Sequence, residues 1–237
     1  MQAGFLALIA AGAAAAAPPP PTRAQLEACP ALADLDFAKI RAASAPRPRE
    51  ARDALHAKTR GPFGPFAPPA GALVSLRLWA GPGETQEQPT ETSSVVWKGA
   101  DGVWRVDRVD YATTREPPPS PPPPPGADPR RPEYAPRTEA EYERLKRDVI
   151  RGPLDREQAA EIERTLADRC FALQPDAMPF DPPVRKGRPP REPCSGVIGG
   201  TVEIEWADGR RRDVTELCGG FYARALIDAV MYARTAR

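Results

Sequence analysis

Thr201-Val202-Glu203-Ile204-Glu205-Trp206-Ala207-Asp208-Gly209-Arg210-Arg211-Arg212-Asp213-Val214-Thr215-Glu216-Leu217 reads as a complete β-hairpin. Val202, Ile204 and Trp206 alternate with Glu203 and Glu205, the period of a half-buried strand. Asp208-Gly209 supplies the positive φ angles that a tight hairpin turn needs. A two-stranded hairpin is marginal by itself, so it needs more sheet or a helical layer.

The chain before it offers both. Leu73 to Ala80 alternates, with Val74, Leu76 and Leu78 on one side and Ser75, Arg77 and Trp79 on the other. Ser93 to Trp97 and Val103 to Tyr111 form a second hairpin around Lys98-Gly99-Ala100-Asp101-Gly102. In it Val95 and Trp97 are expected to share a face with Trp104 and Val106, opposite Arg105 and Asp107. The expected fold is therefore α+β. It is an antiparallel sheet of about five strands, a three-stranded meander plus the C-terminal hairpin. Helices pack on one face against Val74, Leu76, Trp97, Trp104, Val202, Ile204 and Trp206.

Helical signals flank these strands. Between Thr22 and Lys58, short helices are separated by Pro46 and Pro48, with Leu32, Leu35, Phe37 and Ile40 as apolar positions. Gly61 to Pro69 is a loop by composition, with Phe63 and Phe66 free to dock on a core. Thr138-Glu139-Ala140-Glu141 fits a capping box, and Tyr142, Leu145 and Val149 follow at helical spacing until Gly152-Pro153. Asp155 with Gln158, and Leu154 before them, opens another helix. Its stripe is Ala159, Ile162 and Leu166, continued by Cys170. A last helix runs from about Phe221 to Ala233, packing through Tyr222, Ala225, Leu226, Ala229 and Val230.

Of 237 residues, 33 are Lys or Arg, 32 are Asp or Glu and one is His, a formal charge of +1. That balance argues against a dedicated nucleic-acid binder, which needs a clustered basic excess. Ala3 to Ala17 is an uncharged apolar run followed by Pro18-Pro19-Pro20-Pro21, the pattern of a secretory signal peptide. Residues 1–17 are read as that signal, cut one to three residues before Pro18. Residues 18–237 are read as one α+β domain, with no transmembrane span after cleavage. The domain has an N-terminal helical segment (18–60), a Pro-rich insertion (116–137) and a Pro/Arg-rich loop (174–193). Leu26-Glu27-Ala28-Cys29 is not a lipid-attachment site, because polar Thr22, Arg23, Gln25 and Glu27 separate the cysteine from the apolar run. Pro117 to Pro125 lacks amide donors and cannot join a sheet, so it is extended spacer or insertion.

Cys29, Cys170, Cys194 and Cys218 are an even set in a chain read as exported, which favours disulfides. Four cysteines allow three connectivities. Cys194 and Cys218 flank the open end of the C-terminal hairpin, which favours that pair and leaves Cys29 with Cys170. Zinc would want close pairs such as C-x2-C, and these spacings are far wider.

No catalytic, cofactor-binding or metal-ligating set stands out. His56 is read as a solvated helix residue with no nucleophile near it in sequence. Glu203 and Glu205, with Asp107, are the candidates for a carboxylate-dependent hydrolase, set against pairing with Arg210, Arg211 or Arg212 across the hairpin. The expected function is an exported, non-catalytic protein, periplasmic or secreted, that binds a protein or envelope polymer or supports the envelope. The alternatives are a small secreted hydrolase and an inhibitor or adaptor. The adaptor would present Pro117–Pro125 or the Arg185-Lys186-Gly187-Arg188-Pro189-Pro190-Arg191 patch.

The disulfide reading predicts that the oxidised, unfolded protein takes up no alkylating reagent and that reduction opens four sites. Mass spectrometry before and after reduction checks this, and four free thiols in the unreduced protein would overturn it.

Overall fold

The computed structural model describes residues 21–33, 35–37, 40, 49–80, 90–112, 124–128, 138–176, 200–216 and 222–236. Residues 1–17, read as a signal, most of the proline run, the Arg185–Arg191 patch, Cys194 and Cys218 lie outside them.

Six strands form one antiparallel sheet: β1 (Val74–Ala80), β2 (Thr90–Lys98), β3 (Trp104–Ala112), β4 (Arg147–Pro153), β5 (Gly200–Trp206) and β6 (Arg211–Glu216). Their order is β4-β3-β2-β1-β5-β6. The C-terminal hairpin thus joins the meander through β1, pairing Val74 with Trp206, Leu76 with Ile204 and Leu78 with Val202. Its turn follows the Asp-Gly expectation: Gly209 has φ +83°, and the Arg210 amide donates to Asp208 Oδ1 at 3.0 Å.

The sixth strand, β4, occupies sequence expected to be helix. The capping box is real, and Thr138 and Glu141 cap a helix over Glu139–Leu145. That helix stops at Leu145, and the chain then pairs with β3 from Arg147 to Pro153. The local helical preference is modest, whereas pairing with β3 satisfies backbone groups along seven residues, so tertiary context prevails.

Alternation gives the sheet two unlike faces. The register places Val74, Leu76 and Leu78 beside Val202, Ile204, Val96, Val106 and Trp104 on one face. Trp97 and Val95 lie on the other, which corrects the expected shared face. The Gly99–Val103 loop sets Lys98 opposite Trp104 and Val96 opposite Val106. A one-residue difference in register moves every side chain across the sheet.

Of the helices described, α1 is Arg23–Glu27, α2 is Arg49–Arg60, α3 is Glu139–Leu145, α4 is Arg156–Ala167, α5 is Arg169–Leu173 and α6 is Ala223–Met231. α6 lies on the apolar face, with Leu226, Ile227, Val230 and Met231 buried against it, and α4 packs on α6 through Ile162. Trp104 closes the edge of this core. Its indole N–H donates to Glu163 at 2.8 Å, and Lys98 reaches the same oxygen at 2.5 Å. Lys98 and then Trp104 hold the Glu163 carboxyl below its usual range. The other face is covered too, because α2 packs over β1, β2 and β3. The helical layer is therefore two-sided.

The expected stripe from Ile162 to Cys170 is broken at Asp168. Its backbone is extended, and its carboxylate caps α5 by accepting from the Cys170 amide. That break turns Cys170 away from α4 and toward the N-terminal segment. There Cys29, Leu32, Leu35, Phe37 and Ile40 form a second small core with Cys170. Cys29 and Cys170 are disulfide-bonded, their Cα atoms 5.5 Å apart across 141 positions. In the chain-entropy picture a loop of that length is worth about 5 kcal/mol.

Gly200 opens β5 where a Cβ would lie 3.1 Å from both Ile227 Cγ2 and Leu78 Cδ1. Gly200→Val is expected to cost about 1–3 kcal/mol by overpacking this contact. The urea midpoint checks it, and an unchanged midpoint would contradict the close α6–sheet approach.

Candidate functional site

The concentration of charge in the fold lies on the face under α2. One row crosses the sheet: Arg151 on β4 opposes Asp107 on β3, which opposes Val95 on β2. Val95 opposes Arg77 on β1, Arg77 opposes Glu203 on β5, and Glu203 opposes Asp213 on β6. Antiparallel pairing brings these residues together from distant parts of the chain, with their side chains all on one face.

α2 lays two of its residues onto this row. Arg60 is 1% exposed. Its Nη2 sits 2.7 Å from Asp107 Oδ1 in an ion pair. Its Nη1 donates to the backbone oxygens of Ser93 and Asp107, each at 3.3 Å, and its Nε donates to the Gly64 carbonyl at 3.3 Å. Burial pulls the Arg60 guanidinium below its ordinary value; Asp107 opposes that shift and Arg151 adds to it. Arg151 Nε reaches the other Asp107 oxygen at 3.2 Å, while its Nη2 donates to the Phe63 carbonyl. Asp107 therefore stands between two guanidiniums, one negative charge shared by two positive ones.

His56, one helical turn before Arg60, is also 1% exposed. Its Nδ1 lies 3.1 Å from Ser93 Oγ, and its ring stacks on Phe66 with 20° between the planes. The solvated reading of His56 is thus overturned. Ser93, 37 positions away, is brought to it by β2 and is itself fully buried. A serine and an imidazole in contact have the ingredients of a nucleophile and its base. Here both are enclosed by Phe66 and the sheet, and their hydrogen bond serves to dock α2.

The other predicted carboxylates fall along the same surface. Glu203 is 4% exposed, with Oε2 2.9 Å from Arg77 Nη2, and Arg77 also lies 5.4 Å from the Phe66 ring centre. Glu205 pairs with Arg211 at 2.8 Å at the exposed end of the hairpin. Asp107 and Glu203 are three strands apart, about 14 Å between backbones at the usual strand spacing. That exceeds the roughly 5–9.5 Å that separates paired glycosidase carboxylates. Glu203 and Glu205 are closer, about 7 Å along one strand, yet each is engaged by its own arginine. Among the described residues no group of three or more His, Cys, Asp or Glu is placed to hold a metal ion.

Among the described residues a shallow groove lies between α4 and α6. It is bordered by Arg156, Gln158, Arg164, Asp228, Tyr232 and Arg234. Much of its charge is paired internally, as Arg164 with Glu161 and Arg224 with Asp228.

No motif in the sequence marks Arg60, Arg151 or Ser93 as site residues, whereas Arg77 reads as the polar side of its strand and Phe66 as a loop residue that docks on a core, which it does by stacking on His56. The signal for Arg60 was its i, i+4 spacing from His56, which puts both on one helical face. In comparisons with known proteins, no family model, no curated protein and no solved structure matches the chain.

Asp107→Ala strands the buried Arg60 charge and is expected to cost about 3 kcal/mol or more. Glu205→Ala, at an exposed pair, is expected to cost under about 1 kcal/mol. Equal losses in chemical denaturation would show that Arg60 is not held as described.

Proposed function

We propose that this is an exported, non-catalytic protein of the periplasm or extracellular space, acting by binding a protein or envelope polymer or by supporting the envelope. The observation that carries the reading is the internal compensation of its charged row. Asp107, Glu203 and Glu205 each face arginines of their own chain. A catalytic carboxylate needs a separate acid–base role and access to substrate, whereas these side chains fix strand register and dock α2. The long-range Cys29–Cys170 disulfide supports an oxidising destination. So does the leading apolar segment with its small residues before Pro18. No helix among the described residues is long and apolar enough to cross a membrane.

Expressed from Met1 in a Gram-negative bacterium, the chain is expected in the periplasmic fraction, shortened to begin between Ala15 and Ala17. Capture from envelope extract with the shortened protein as bait is expected to survive Glu205→Gln. An uncut, reduced and folded cytosolic protein would overturn the export reading. A glycan-hydrolysing activity abolished by Glu205→Gln would overturn the non-catalytic one.

A further inference from the structure

We infer that the Cys29–Cys170 disulfide is a buried lock that fastens the N-terminal segment, residues 22–40, as a separable strap onto a body able to stand without it. The two apolar cores divide along this line. The main core draws its residues from the sheet and from α4, α5, α6 and the flanking chain, and includes none from the strap. The small core consists of Cys29, Leu32, Leu35, Phe37 and Ile40 around Cys170, with Leu26, Leu173 and Tyr222 at its margin. Tyr222 touches both cores and is the hinge of contact between them.

Among the described residues, backbone bonds run within the strap: Leu26 to Thr22, Cys29 to Leu26, Leu32 to Cys29, Leu35 to Leu32 and Ile40 to Asp36. Its α1 helix is capped by its own Thr22 and Gln25. Across the boundary, the Cys170 sulfur lies 3.5 Å from the Ala28 carbonyl. The body carries its own ties where the strap attaches. Gln174 accepts from the Ala223 amide at 2.9 Å, and Arg212 donates to the Phe171 and Gln174 carbonyls at 2.9 and 2.7 Å. α5 therefore stays fixed to β6 and α6 whether or not the strap is present.

The lock is shielded: Cys29 is 0% and Cys170 6% exposed. A dithiol reductant opens it by thiolate attack on one sulfur. The Cys29–Cys170 bond breaks, its electron pair leaves with the departing sulfur, and that sulfur takes a proton. The reagent's second thiol then closes its own disulfide and frees the other cysteine. With both sulfurs buried, attack has to wait for the strap to lift, so the folded protein resists reduction. The lock thereby makes completion of the fold depend on oxidation, while the sheet does not.

Hydrogen exchange on the full-length Cys29→Ser/Cys170→Ser protein tests this. Amides in 26–40 are expected to lose protection by at least about tenfold, while those of β1, β2, β3 and β5 keep theirs. A variant that does not fold, a sheet that loosens in step with the strap, or a strap that keeps its protection would each overturn the inference. In the wild-type protein, alkylation and peptide mass mapping at intervals after dithiothreitol addition follows the Cys29–Cys170 bond. It is expected to open at least about tenfold more slowly in the native protein than in urea; equal rates would likewise overturn it.

Discussion

β1 carries Leu76 and Leu78 toward one layer and Ser75 and Arg77 toward the other, and it is central in the sheet. A central strand has no solvent face to spare once both sides are covered, so its alternation fixes what each covering layer has to be. The Leu side is met by the apolar helix α6. The Arg side cannot be met by hydrocarbon, because an unpaired buried guanidinium is among the costliest groups to enclose. It is met by Glu203 and, further along the row, by a helix that brings Arg60 to Asp107 and His56 to Ser93. The two-sided helical layer follows from the period of two in a single strand.

Arginine also finishes the helices. The last carbonyls of a helix lack intrahelical donors, and here guanidiniums supply them. Arg147 Nε donates to the Thr59 carbonyl at 3.0 Å at the end of α2. Arg212 serves the end of α5 through Phe171 and Gln174, and Arg108 reaches the Ala233 carbonyl beyond α6 at 3.1 Å. Each of these arginines lies on a strand, so helix ends are tied to the sheet through charge-assisted bonds with a rigid fork. Lysine, with one rotatable ammonium, lacks the geometry to repeat this at several carbonyls.

The parts of the fold that were legible in the sequence are those where local pattern and tertiary demand agree. The β5–β6 hairpin has alternation and an Asp-Gly turn, α6 has a continuous apolar face, and the capping box at Thr138 is formed. The parts that were not legible turn on partners far away in sequence. Arg147-Asp148-Val149-Ile150-Arg151 has no clean alternation and becomes a strand because β3 offers an edge. Trp97 changed face because the Gly99–Val103 loop sets a register that composition does not specify. His56 looked solvated because its neighbours in sequence are polar, and its true neighbours, Ser93 and Phe66, come from a strand and a loop. Asp107, Glu203 and Glu205 stand out in the sequence, but what engages them was visible only in part. Glu205 meets Arg211 across the hairpin, whereas Glu203 meets Arg77 across β1.

The strand order has a consequence for biosynthesis. β1 to β4 leave the ribosome as a meander, but β1 then waits for its second neighbour until β5 is made, after the whole crossover through α4 and α5. The helix that seals the apolar face arrives later still. A nascent chain of this topology holds an incomplete, open-edged sheet for most of its synthesis, and such late long-range closure is intrinsically slow. Closure of the sheet and of its apolar core therefore waits for Gly200–Trp206 and Ala223–Met231, the last elements to be made.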